Sequence, residues 1–126
     1  MAMEKRDLHN EVKMMEALLK SSCRTVWEHP EEGGNEKESA NYFRRLLGNE
    51  GFKIVNEDHL EHAFYAEYGS GKPVIAILGE YDALPGLSQK VTDSKTPVSE
   101  GAPGHGCGHN LLGSAAAVGA IAIKRY

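Results

Sequence analysis

A glycine-rich loop with one thiol and two imidazoles, running into a helix of small apolar residues, is the feature that most constrains this chain. It reads Gly104-His105-Gly106-Cys107-Gly108-His109-Asn110 and continues as Leu111-Leu112-Gly113-Ser114-Ala115-Ala116-Ala117. Glycine accepts positive φ angles, so such a loop can fold back and aim several side chains at one point. The helix, predicted over residues 110–124, is apolar nearly all round, and we therefore expect it to be buried against a sheet.

Length and composition limit the class of protein. The 126 residues suffice for one hydrophobic core and are too few for two ordinary domains. A net charge of -4 gives no indication of nucleic-acid binding. Residues 1–7 are too charged for a secretory signal, and no apolar run reaches the roughly 20 residues of a membrane span. We expect a cytoplasmic protein without membrane contact, in which Cys23 and Cys107 are reduced thiols.

Hydrophobic spacing predicts three helices and about three strands, which is an α/β fold. Apolar residues at spacings of three and four predict a helix over residues 9–28, and Asn35 with Glu38 forms a capping-box pattern before a second helix. Strand signals lie at residues 52–55, 62–68 and 74–78. The last run is apolar at every position, which predicts the buried core strand of the sheet. Prolines and glycines break up residues 83–106, which predicts a long, functional loop.

Two carboxylates, Glu80 and Asp82, directly follow the predicted core strand. Open α/β sheets bind ligands at the carboxyl ends of their strands, and residues two apart on a strand point to the same side. These side chains suit a metal site, the orientation of a metal-bound histidine, or acid–base chemistry. The alternative is that they only solvate the end of the strand.

Cys107 and His109 form the strongest predicted metal-ligating pair. Thiolate sulfur and imidazole nitrogen suit zinc and related ions, and free N–H groups at a helix start favour a thiolate. His105 is open between a third ligand, a group that orients a ligand, and a loop residue without a role. A different chemistry is a thiol hydrolase in which Cys107 is the nucleophile and His105 or His109 the base.

Residues 79–86 and 104–113 together resemble the two-metal amidohydrolases of the aminoacylase and carboxypeptidase-G type, in the branch of the indole-acetyl-amino-acid hydrolases. The likeness extends to residues 29–31 and 51–52. It implies that residues 1–126 are the incomplete N-terminal part of a zinc-peptidase-like catalytic domain. It also implies that Cys107 and His109 are metal ligands and that Asp82 is a catalytic-site carboxylate that orients a metal-binding histidine. Glu80 stands where related proteins have that histidine.

The same resemblance implies hydrolysis of the amide bond of N-acyl amino acids through a metal-activated water. The complete enzyme would be a homodimer with two divalent ions, zinc or manganese, and its general base and other ligands would lie beyond Tyr126. This chain would hold at most one ion weakly, and it would need its missing C-terminal half or a full-length relative as partner. We also expect exposed hydrophobic surface on the isolated chain. The alternative function is an inactive metal-binding or partner-interaction module derived from this family.

Overall fold

Four helices and a two-stranded sheet make up residues 4–126, the part of the chain that the structure, a computed structural model, describes. The elements are α1 (Lys5–Met14), α2 (Glu16–Glu28), α3 (Lys37–Asn49), β1 (Lys53–Asn56), β2 (Phe64–Glu67) and α4 (His109–Arg125). The predicted mixture of helices and strands is confirmed, although its counts of three helices and about three strands are wrong. Within the described residues, no helix combines the length and apolar character needed to cross a bilayer.

The predicted first helix is divided in two at Met15. There the backbone has φ -93° and ψ 6°, while the Met15 N–H still bonds to the carbonyls of Glu11 and Val12. The Met15 side chain is 3% exposed, whereas α1 has no buried residue. The break thus turns α1 without removing Met15 from the core.

Helix α4 lies at the centre of the core, in contact with α1, α2 and α3. The buried cluster consists of Met15, Val26, Phe43, Leu47, Ala117, Val118, Ile121 and Ala122. Burial of α4 is therefore confirmed for its inner face. On its outer side Leu111, Leu112 and Ile123 are exposed.

The sheet consists of β1 and β2 alone, paired antiparallel with Lys53 opposite Glu67 and Asn56 opposite Phe64. It packs against α3. The prediction of a buried core strand at residues 74–78 is wrong, because this run forms no strand and Val74 and Leu78 are each 84% exposed. No other strand in the described residues pairs with it. The expected exposed hydrophobic surface is thereby confirmed.

Helix α3 is capped by Glu31 and not by the predicted capping box of Asn35 and Glu38. The helix begins at Lys37 without a cap from its own N-cap side chain. Instead, the two carboxylate oxygens of Glu31 accept the backbone N–H groups of Glu38 at 2.7 Å and Ser39 at 2.9 Å. A carboxylate at this position satisfies two free donors and opposes the positive end of the helix dipole.

Replacing Glu31 with alanine is expected to lower the free energy of unfolding by about 1–2 kcal/mol, the usual effect of losing an N-terminal cap. The matched control is Glu32→Ala, because Glu32 is an exposed neighbour and its carboxylate caps no helix. Urea unfolding of both variants measures the difference. Equal losses in the two variants would show that the Glu31 carboxylate does not stabilise α3.

The predicted long loop over residues 83–106 is confirmed as a closed excursion. Its base is held by two hydrogen bonds between Leu84 and Gly104, at 3.0 and 2.9 Å, and further out Ser88 N–H donates to the Ala102 carbonyl at 2.9 Å. A Cβ on Gly104 would lie 1.9 Å from the Leu87 carbonyl oxygen, so only glycine fits there. The loop thereby returns the start of α4 to the side of residues 80–84.

Candidate metal centre

Two glycines bring the acidic segment and α4 into direct contact. A Cβ on Gly79 would lie 2.8 Å from the Ala116 side chain, and a Cβ on Gly113 would lie 2.7 Å from the Glu80 carbonyl oxygen. The backbone of Glu80 therefore rests on the helix about one turn beyond His109. This close approach places the carboxylates that follow residue 79 beside the first turn of α4.

His109 lies between the two carboxylates. Its Nδ1 is 2.8 Å from Asp82 Oδ1 and its Nε2 is 3.2 Å from Glu80 Oε2. The three side chains can offer ligand atoms that all lie within 4.8 Å of one another. The prediction that Glu80 and Asp82 point to the same side is confirmed, even though the segment before them is not a strand.

The hydrogen-bonding groups of this cluster fit a cation. A neutral imidazole has one N–H donor, while ionised carboxylates only accept, so one of the two contacts of neutral His109 lacks a proton. Either a second proton on the ring or a cation between Nε2 and Glu80 meets this need. Zinc bonds of about 2.0–2.2 Å place tetrahedral ligand atoms about 3.3 Å apart, close to the observed 3.2 Å. The Asp82 contact on Nδ1 is the kind that orients a metal-binding histidine.

Cys107 lies outside this cluster. Its thiol is free and exposed, and Cys23 is free as well, as expected. Cys107 therefore stays a predicted ligand. As a nucleophile it lacks a base in the described structure, since both nitrogens of His109 face carboxylates and His105 is buried with Nε2 on a carbonyl.

His105 has a structural role among the three alternatives. It is 5% exposed, its Nε2 donates to the Val26 carbonyl at 3.0 Å, and its ring lies 6.4 Å from that of Trp27. Burial lowers the pKa of the His105 imidazole, which favours the neutral form. Its side chain thus fastens the glycine-rich loop to α2.

Asn110 performs a similar task next to the site. It is 6% exposed and its Nδ2 donates to the Cys23 carbonyl at 3.3 Å. An ionised carboxylate at this position could not donate to a carbonyl. Asparagine therefore suits the contact between the start of α4 and α2.

Two further contacts hold the acidic segment, and sequence reasoning missed both. The Tyr81 hydroxyl donates to the His62 carbonyl, and its ring lies 5.5 Å from that of Phe43. Burial raises the pKa of Tyr81 to about 12, so the phenol keeps its proton. On the other side of Asp82, the Ala83 N–H donates to the Glu31 carbonyl at 2.7 Å. Asp82 is thus fixed from both neighbouring residues.

Comparison with known proteins supports the resemblance. No family model matches the chain. The chain is 50% identical over 103 residues to a subunit of p-aminobenzoyl-glutamate hydrolase from Escherichia coli (strain K12). The match covers 80% of this chain and 21% of that protein, so the chain spans about a fifth of its relative's length. The motifs at residues 79–86 and 104–113 favour this same hydrolase within the family, and the comparison confirms that resemblance.

Proposed function

We propose, from this relationship to a hydrolase subunit, that residues 1–126 form the N-terminal portion of a metal-dependent amidohydrolase catalytic domain. The substrates would be N-acyl amino acids such as p-aminobenzoyl-glutamate. One observation carries the proposal: the region that is 50% identical to the relative holds His109 between Asp82 and Glu80. A carboxylate–histidine–carboxylate arrangement is suited to a divalent ion.

In this proposal His109 and Glu80 hold the ion and Cys107 supplies a further ligand. Asp82 is the catalytic-site residue that orients His109, because its Oδ1 accepts the Nδ1 proton and leaves the Nε2 lone pair directed toward Glu80. A bound zinc or manganese ion polarises a scissile amide carbonyl and activates a water molecule. The half-buried position of His109 leaves the Nε2 side open to solvent and substrate.

These donors can complete one coordination sphere and leave no spare carboxylate as general base. We therefore place the second ion, its ligands and the base outside residues 1–126, on the missing C-terminal half or a full-length relative. The complete enzyme would be a homodimer. The identity over 80% of this chain and only 21% of the relative supports this division.

Hydrolysis of p-aminobenzoyl-glutamate tests the proposal. We expect no turnover by the isolated chain and chelator-sensitive turnover when it is combined with the part of the E. coli subunit that has no match here. Asp82→Asn should reduce that rate by about 10–100-fold, the usual effect of losing a group that orients a metal ligand. Chelator-sensitive turnover by the isolated chain would contradict our placement of the general base.

A second candidate function is an inactive metal-binding or partner-interaction module. The exposed apolar run at residues 74–78 favours it, since such a surface suits a partner. This function predicts metal uptake and partner binding without hydrolysis. The same assay therefore separates it from the first proposal.

A further inference from the structure

Residues 74–78 form an apolar run without a partner. Val74, Ile75 and Leu78 are 84%, 80% and 84% exposed, and Ile77 is 46% exposed. Within residues 4–126 their backbone groups make no hydrogen bond to another segment. The residue types are those that favour β-strands. The run thus has a strand's sequence while both of its edges and both of its faces are bare.

We propose that residues 74–78 are a docking site for strands of a second polypeptide, namely the large part of the hydrolase that has no match in this chain. This inference rests on the proposed function. Strand addition uses unpaired backbone groups for affinity and side-chain pockets for specificity. The run offers both, because no backbone group is engaged and every side chain is apolar.

A second copy of this chain is a poorer occupant. Two-fold pairing through the same run would cover one edge of each copy and leave the other edge bare. A strand that is apolar at every position also needs a layer over both faces. A polypeptide that carries the rest of a hydrolase fold can supply both neighbouring strands and both layers. The match to only 21% of the E. coli subunit leaves room for such elements.

The run is also continuous with the candidate metal centre. Gly79, which directly follows it, packs on α4 with Ala116 beside it, and Glu80 comes next. Strands added to residues 74–78 would therefore end close to Glu80 and His109. Docking at this run would bring the missing ligands and base to the site where the proposed function needs them.

The test uses one polypeptide in which this chain is joined to the unmatched part of the E. coli subunit by a protease-cleavable linker. After cleavage we expect the two parts to remain associated in size-exclusion chromatography. We also expect the backbone amides of residues 74–78 to exchange about 100-fold more slowly than in the chain alone. Exchange is measured on the uncut protein as well, so this readout does not depend on recovery after cleavage.

Ile75→Lys is the test variant and Val91→Lys the matched control. Both residues are apolar and exposed, at 80% and 88%, so neither change should unfold the isolated chain. Ile75→Lys should weaken association after cleavage by about 100-fold, because an unpaired charge is buried in the interface. Val91→Lys should bind as the unaltered chain does.

Equal association of both variants would overturn the docking site. So would a dimer of the isolated chain that protects residues 74–78 and is lost in Ile75→Lys, since the occupant would then be a second copy. The proposed function fails separately. Association with protected amides but no hydrolysis would uphold docking and refute the hydrolase, and hydrolysis with unprotected amides would do the reverse.

Discussion

Gly113→Ala is expected to weaken zinc binding at His109 by about tenfold or more and to destabilise the fold. The new Cβ would lie 2.7 Å from the Glu80 carbonyl oxygen and 3.4 Å from the ring of Phe43. A backbone oxygen cannot move without its segment, so residue 80 must leave the surface of α4. Overpacking of this kind costs about 1–3 kcal/mol, against a gain of up to about 1 kcal/mol from alanine in a helix. We therefore expect a net loss of about 1–2 kcal/mol.

Gly119→Ala supplies the matched control on the same helix. A Cβ there would meet no atom within 4 Å, so only the helix-propensity gain remains. The free energy of unfolding should rise by about 0.5–1 kcal/mol, with zinc affinity unchanged. Calorimetric zinc titration and urea unfolding measure both quantities. If Gly113→Ala binds zinc as tightly as Gly119→Ala, the contact between residue 80 and α4 does not position the site.

Local sequence patterns predict much of the helical structure. Periodic apolar residues and terminating glycines place α2, α3 and α4 close to their observed bounds, and the aromatic run at residues 62–68 contains β2. The break at Met15 is hidden because the apolar stripe continues through it. Similarly, nothing local shows that Glu31, and not Asn35, caps α3.

Residues 74–78 show where local patterns are insufficient. Continuous apolar residues indicate that a segment is suited to burial, but burial also requires strands and layers from elsewhere. Within the described residues only β1 and β2 form a sheet, and they pair with each other. The composition of the run therefore indicates its strand-forming character, while its predicted burial depends on elements that the described residues do not provide.

The candidate site is partly predictable for a similar reason. The strand-end rule and the glycine-rich loop point to Glu80, Asp82 and His109. The supports of the site come from residues far away in sequence, since His105 and Asn110 bond to carbonyls 79 and 87 positions earlier. Such pairs follow from the packing of α4 on α2 and leave no local signal.

His109→Ala is expected to remove zinc binding from this chain. It deletes the residue that contacts both carboxylates and leaves two acidic side chains without the nitrogen ligand between them. Asp82→Asn should weaken binding by about 10–100-fold, because the amide holds the ring less firmly. Cys107→Ser should reduce affinity if the thiolate is a ligand as proposed, and unchanged affinity would remove Cys107 from the site.

The most direct test of the account is a calorimetric zinc titration of the unaltered chain beside His109→Ala, with His59→Ala as control because His59 is exposed and outside the cluster. We predict uptake of a single ion by the unaltered chain and by His59→Ala, and no measurable uptake by His109→Ala. Equal uptake by all three proteins, or no uptake by the unaltered chain, would contradict a metal centre at His109.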